Sequence, residues 1–213
     1  MQYGVAGLSV VALEAMASTA TGATSPTITC LGDSISDGLL KDDVYPTWLA
    51  RYLAPIPVVA DGVSGESAHA ILARCQRDGI HTGSRVHKPG SITFVLAGIV
   101  DVMFTQASAT GITADLSRIY EYLGHHGSRV QPVTILPWGK SPWFKPDRES
   151  VRVAVNRWIV HHPHAVRSEL TMSDGAHPPN LRHEFDDGDG VYPRNVIGPQ
   201  VLALTCALAL VPR

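Results

Sequence analysis

The sequence predicts an α/β fold built on a parallel sheet. Short apolar or β-branched runs recur along its 213 residues, and glycine or proline turns close them. Segments with apolar residues at helical spacing alternate with these runs. The first clear run, residues 27–31, ends at Gly32, and Asp33-Ser34 follows at once. That is how a buried strand delivers a side chain to the carboxyl edge of a sheet, where open α/β folds hold their ligands.

In chain order, residues 27–31 are the first strand. Tyr45–Leu53 is a helix, because Tyr45, Trp48, Leu49, Tyr52 and Leu53 share a face and Pro46 stands early in it. Residues 57–60 form a short strand before the glycine-bracketed turn Asp61-Gly62-Val63-Ser64-Gly65. Residues 68–75 are a helix. Residues 91–96 are a buried strand ending at Ala97-Gly98-Ile99-Val100-Asp101. Residues 113–123 put Leu116, Ile119, Tyr120 and Leu123 on one side of a helix that Gly124-His125-His126-Gly127 ends. Residues 131–136 are the next strand, closed by Pro137-Trp138-Gly139. Residues 146–160 are a helix, with Val151, Val155, Trp158 and Ile159 at helical spacing. Residues 161–180 are loop-rich, and residues 201–210 form a terminal apolar helix.

The length suits one domain spanning 1–213, with roughly residues 1–26 as an N-terminal extension. Apolar residues are 45% and charged residues 17%, with a net charge of −2 and no basic stripe. Nucleic acid and anionic membranes are therefore poor partners. No run is apolar and long enough to span a membrane. Cys30, Cys75 and Cys206 are odd in number and lack CxxC spacing, which fits neither a disulfide framework nor a zinc site. No metal or cofactor is expected, and nothing indicates an oligomeric state. Residues 4–20 resemble the tail of a signal peptide, but the first basic residue is Lys41 and Glu14 interrupts the apolar run. A packed early strand or helix is favoured, and a cytoplasmic location over a secreted one. The final Leu210-Val211-Pro212-Arg213 ends in the left half of a common protease-cleavable linker and is set aside.

Four strand ends together resemble the SGNH, or GDSL-type, hydrolase family. Gly32-Asp33-Ser34-Ile35-Ser36 is close to its Gly-Asp-Ser-Leu-Ser block, and Gly62-Val63-Ser64-Gly65 to its Gly-Ile-Ser-Gly. Gly98-Ile99-Val100-Asp101 corresponds to Gly-x-Asn-Asp. The last block runs from Asp187 through Asp189, Tyr192, Pro193, Arg194 and Asn195 to Gly198. It is similar to Ser-Gly-Asp-x-x-His-Pro-Asn-x-x-Gly. The resemblance covers roughly residues 27–210 and implies a three-layer α/β/α, flavodoxin-like parallel sheet. In the family a serine attacks an acyl carbonyl, a histidine takes its proton and an aspartate three residues earlier orients the histidine. The serine amide, the second-block glycine amide and the third-block asparagine bind the oxyanion. The resemblance thus places Ser34, Gly62 and Asp189 in those roles.

Two family residues are replaced. Val100 stands for the asparagine and Tyr192 for the histidine. Valine offers no donor, and one lost oxyanion donor typically costs about 10² to 10³ in rate. A phenol ordinarily titrates near ~10, so at neutral pH it serves as acid or hydrogen-bond donor rather than base. Asp61 is expected to add negative charge near the same pocket, against a developing oxyanion. Asp174-Gly175-Ala176-His177-Pro178 offers a displaced Asp-x-x-His-Pro string, so His177 is either a substitute base or a surface-loop histidine. Trp138, Trp143 and Phe144 either line an apolar pocket or pack as core and lid. Asp33 and Asp101 have structural readings as turn-holding groups. The histidines at 161, 162 and 164 suit a helix C-terminus better than a metal cluster.

Three functions follow. The first is a repurposed enzyme carrying out cyclisation, isomerisation, elimination or acyl transfer on a small acyl-like, ester-like or apolar molecule, with Ser34, Tyr192 and Asp61 in the site. The second is a serine esterase using Ser34 with His177. The third is a non-catalytic binding module that has kept the cleft.

Overall fold

The computed structural model describes residues 26–37, 44–78, 90–194 and 197–211. The signal-like stretch, Lys41, Asn195 and Pro212-Arg213 lie outside these residues.

Four parallel strands form the sheet: β1 (Ile28–Gly32), β2 (Val58–Gly62), β3 (Ile92–Leu96) and β4 (Arg129–Pro132), in the order β2-β1-β3-β4. β1 and β3 are buried along their whole length, as continuous apolar central strands should be. The helices are α1 (Tyr45–Leu53), α2 (Ala68–Asp78), α3 (Ile99–Phe104), α4 (Ala109–His125), α5 (Pro146–Ile159), α6 (Ser168–Met172) and α7 (Gly198–Leu208). α1 packs on α7 and α7 on α6, while α2 packs on α4 and α4 on α5. From β1 the chain moves outward to β2, then returns past β1 to β3. With right-handed crossovers, that reversal sends α1 and α2 to opposite faces and makes a flavodoxin-like three-layer fold. It also opens a crevice beyond the carboxyl ends of β1 and β3. Among the described residues no helix is long and apolar enough to cross a membrane.

Several boundaries differ from the sequence reading. α4 begins at Ala109 because Ser108 caps it, its hydroxyl accepting from the Gly111 amide at 3.1 Å. The segment after β3 is helical at once, since Gly98 turns the chain at φ 112° into α3. The expected strand 131–136 stops at Pro132, and only a bridge from Val133 to Val166 extends it. Beyond the bridge, Asn156 of α5 takes over from the ladder: its amide oxygen accepts from Ile135 N at 2.7 Å and its Nδ2 donates to Ile135 O at 2.8 Å. The loop-rich 161–180 stretch contains α6.

Gln131 of β4 is fully buried, and neither atom of its side-chain amide has a hydrogen-bond partner among the described residues. Unpaired buried polar groups cost about 1–3 kcal/mol. Gln131→Met, similar in shape, should therefore raise the thermal midpoint by several degrees. An unchanged or lower midpoint would show that the amide is satisfied.

Candidate active site

β1 runs into a turn that Asp33 holds. Asp33 Oδ1 accepts from the Ile35 amide at 3.0 Å, and Asp33 O accepts from Ser36 N at 3.0 Å. Two glycines let other main chain press against this turn. A Cβ on Gly32 would lie 2.2 Å from Leu96 O of β3. A Cβ on Gly62 would lie 2.3–2.4 Å from backbone atoms of Asp33, Ser36 and Asp37. Ser36 Oγ meets Tyr45 OH at 3.2 Å, and Ser64 Oγ donates to Asp37 Oδ2 at 3.0 Å. Ser34 is thus fixed by close backbone packing on both sides.

The loop before α7 brings Tyr192 to it. Asp186 Oδ1 accepts from the Gly188 and Gly190 amides at 3.0 and 2.9 Å. Asp189 Oδ1 accepts from the amides of Val191 and Tyr192, both at 2.9 Å. Gly190, at φ 71°, sits so close to Lys140 and Ser141 that a Cβ would be 2.5 Å from their backbone. Held this way, Tyr192 OH shares a 2.7 Å hydrogen bond with Ser34 Oγ. A cleft of about 240 Å³, including its solvent-open part, lies at this pair. Ser34, Ile35, Val44, Tyr45, Tyr192, Pro193 and Arg194 line it. The Arg194 guanidinium stacks 3.7 Å from the Tyr192 ring centroid. Of these lining residues, sequence reasoning assigned only Ser34 and Tyr192 to the site.

The other expected site residues fall elsewhere. Asp189 binds loop amides, so this carboxylate shapes the loop that carries Tyr192. Val100 is buried in the first turn of α3, beside Gly98, whose Cβ would be 2.8 Å from Ile135. Asp61 corrects an expectation: its carboxylate pairs with Arg74 at 2.6 Å, and Glu66 binds the same guanidinium at 2.8 Å. Its charge is thus compensated by α2. Of the two readings of Trp138, pocket lining and core, it takes the second and lies outside the cleft. Its indole is fully buried and donates to Glu149 Oε2 at 2.7 Å. Phe144 packs against it, while Trp143 is exposed edge-on to Phe104. His177 is exposed and is not among the cleft residues. Asp174 is occupied by Ala176 N, Asn180 N and Asn180 Nδ2, all within 3.0 Å. His161 Nδ1 pairs with Arg157 O and His162 packs on Trp158, so helix-end contacts account for both.

Burial, reinforced by the charge of Asp101, raises the Asp33 carboxyl from 3.8 to about 7, against the Ile35 hydrogen bond. Asp101 is also raised by burial, although its Oδ2 accepts from Ala68 N at the start of α2 at 2.8 Å. The folded chain therefore holds the Asp33 proton between about pH 3.8 and 7, where the unfolded chain releases it. This contribution to stability is full below that window and lost as pH rises through it. Asp33→Asn keeps the Oδ1 acceptor and removes the titration. The variant should gain on the parent by a few kcal/mol between about pH 4 and pH 8, as read by urea unfolding. A difference that stays flat across that range would refute the assignment.

The profile of the GDSL-like Lipase/Acylhydrolase family matches residues 30–193. No curated protein matches the chain significantly. Among solved structures, a G-D-S-L family protein from Desulfitobacterium hafniense superposes with a TM-score of 0.70 at 11% identity, over 87% of this chain and 99% of that one. A GDSL-like lipase from Bacteroides thetaiotaomicron gives 0.67 at 16% identity, over 93% and 96%. The acetyl xylan esterase AlAXEase gives 0.64 at 16% identity, over 86% and 98%. At these identities the likeness is one of fold.

Proposed function

We propose, from the premise that the chain belongs to the GDSL-like Lipase/Acylhydrolase family, that it is an enzyme which has kept the family's cleft and changed its chemistry. The observation that carries this reading is the 2.7 Å hydrogen bond between Ser34 Oγ and Tyr192 OH. A histidine in that place would activate the serine for attack; a phenol supplies a second hydroxyl donor instead. The bond uses one of the two hydroxyl protons and leaves the other free to donate to a substrate carbonyl oxygen. That donor stabilises negative charge as it develops on the oxygen, and Tyr192, where it is the donor, can hand over its proton. Isomerisation, cyclisation or elimination next to a carbonyl needs this kind of help and needs no acyl-enzyme. Asp189 contributes by holding the loop that aims the phenol, and Gly62 by fixing the serine turn.

A fluorophosphonate probe followed by intact-mass measurement tests the reading. No adduct should form at Ser34, and simple esters should not be turned over. An adduct lost in Ser34→Ala, with ester turnover lost in His177→Ala, would overturn it in favour of a serine esterase.

A further inference from the structure

We infer that the cleft at Ser34 takes a small substrate bearing a carboxylate, and that Arg194 binds that carboxylate. The inference rests on the reading above that the cleft is a small-molecule site.

Arg194 reaches the cleft through a tight turn. Its amide donates to Tyr192 O at 2.9 Å across Pro193, whose ring restricts the middle of the turn. This brings the guanidinium carbon over the Tyr192 ring, 3.7 Å from the centroid, on the cleft wall. Among the described residues no carboxylate pairs with it. Of the acids on this loop, Asp186 and Asp189 bind loop amides, and Asp187, exposed, with its amide donating to the same Tyr192 O at 3.3 Å, makes no ion pair with Arg194. Asp33, buried beneath the turn, is raised to about 7 and so carries little charge in mildly acidic solution. A partly buried cation with no counter-ion among the described residues favours an anionic ligand. A guanidinium carries its N–H donors in one plane, the geometry that forks onto a carboxylate.

The rest of the cleft limits the ligand's character. It is shallow, about 240 Å³ only when its solvent-open part is counted, and Ile35, Val44 and Pro193 make apolar walls. A short-chain acid fits these features together. Its carboxylate meets Arg194, its chain meets the apolar wall, and its reacting carbonyl meets the Ser34–Tyr192 hydroxyls.

Butanoate, butanamide and inorganic phosphate, titrated by ligand-observed NMR and calorimetry, test this. The parent protein should bind butanoate about tenfold or more tightly than butanamide. Arg194→Gln should erase that difference, and Arg194→Lys should restore part of it. Equal binding of acid and amide by the parent overturns the inference without recourse to any variant. So does a preference that survives Arg194→Gln, or the absence of binding at millimolar concentration. Phosphate that displaces butanoate at equal or lower concentration, with the same dependence on Arg194, overturns the carboxylate assignment in favour of a phosphate ligand. A probe adduct at Ser34 would remove the hydroxyl-pair reading and leave the butanoate preference standing; loss of the preference would leave the probe result untouched.

Discussion

Ester hydrolysis should emerge when Tyr192→His and Val100→Asn are combined. Among the described residues no imidazole meets Ser34, and Val100 on the first turn of α3 offers no side-chain donor. A positioned general base contributes about 10² to 10⁴ and an oxyanion donor about 10² to 10³. The double variant should therefore hydrolyse p-nitrophenyl acetate at least about 10²-fold faster than the parent, and each single variant less. The loop should tolerate the change, because Asp189 holds it through the main-chain amides of Val191 and Tyr192 rather than through the ring. Pre-steady-state release of nitrophenol would report an acyl-enzyme at Ser34. A folded double variant no faster than the parent would mean that more than two side chains separate this cleft from its hydrolytic relatives.

Arg152→Met should be among the most destabilising single changes in the chain. Arg152 is buried on α5 and clamps Glu149 with two hydrogen bonds of 2.8 and 2.7 Å, while its NH1 donates to Ile135 O at 3.0 Å. Glu169 lies 3.7 Å from the same guanidinium, and Asn156 Nδ2 donates to Glu169. Removing the arginine leaves a buried carboxylate held only by the Trp138 indole. Breaking one side of a buried pair costs about 3–5 kcal/mol. For a domain of this size that lowers the melting temperature by roughly 6–20 °C. Glu149→Gln with Arg152→Met should recover part of the loss, since neither charge then remains. A single variant within a degree or two of the parent would show that Glu149 has another partner.

Much of the architecture was legible because it is local. A β-branched run closed by Gly32 makes β1, and Asp33 closes its turn through an atom two residues away. The helix bearing Tyr45, Leu49 and Leu53 follows from spacing alone. What was hidden depends on distant groups. Nothing near residues 131–136 reveals that Asn156, more than a helix away, replaces the ladder at Ile135. The aromatic run at 138–144 has one composition and three fates: Trp138 buried, Phe144 packed on it and Trp143 exposed. Asp61 reads as a free acid until the fold sets Arg74 beside it. For the site, Ser34 and Tyr192 were visible as positions in blocks, and their contact follows from the fold. Arg194 was not, because no sequence pattern says that an arginine two residues on will lie across the ring.

Gly32 and Gly62 have a consequence for anyone who would redesign this chain. Main chain packs so closely at both glycines that an added methyl would meet backbone within 2.2–2.4 Å, and at Gly32 the Ser36 hydroxyl as well. The address of Ser34 is therefore written in the main chain, independent of the groups that serve it. The segment bearing Tyr192 and Arg194 is positioned mainly by side-chain-to-amide hydrogen bonds from Asp186 and Asp189, and it carries its chemistry on interchangeable residues. Libraries aimed at new reactions belong at positions 191–194 and 100, with 32–36 and 61–63 left untouched as the socket into which that chemistry is plugged.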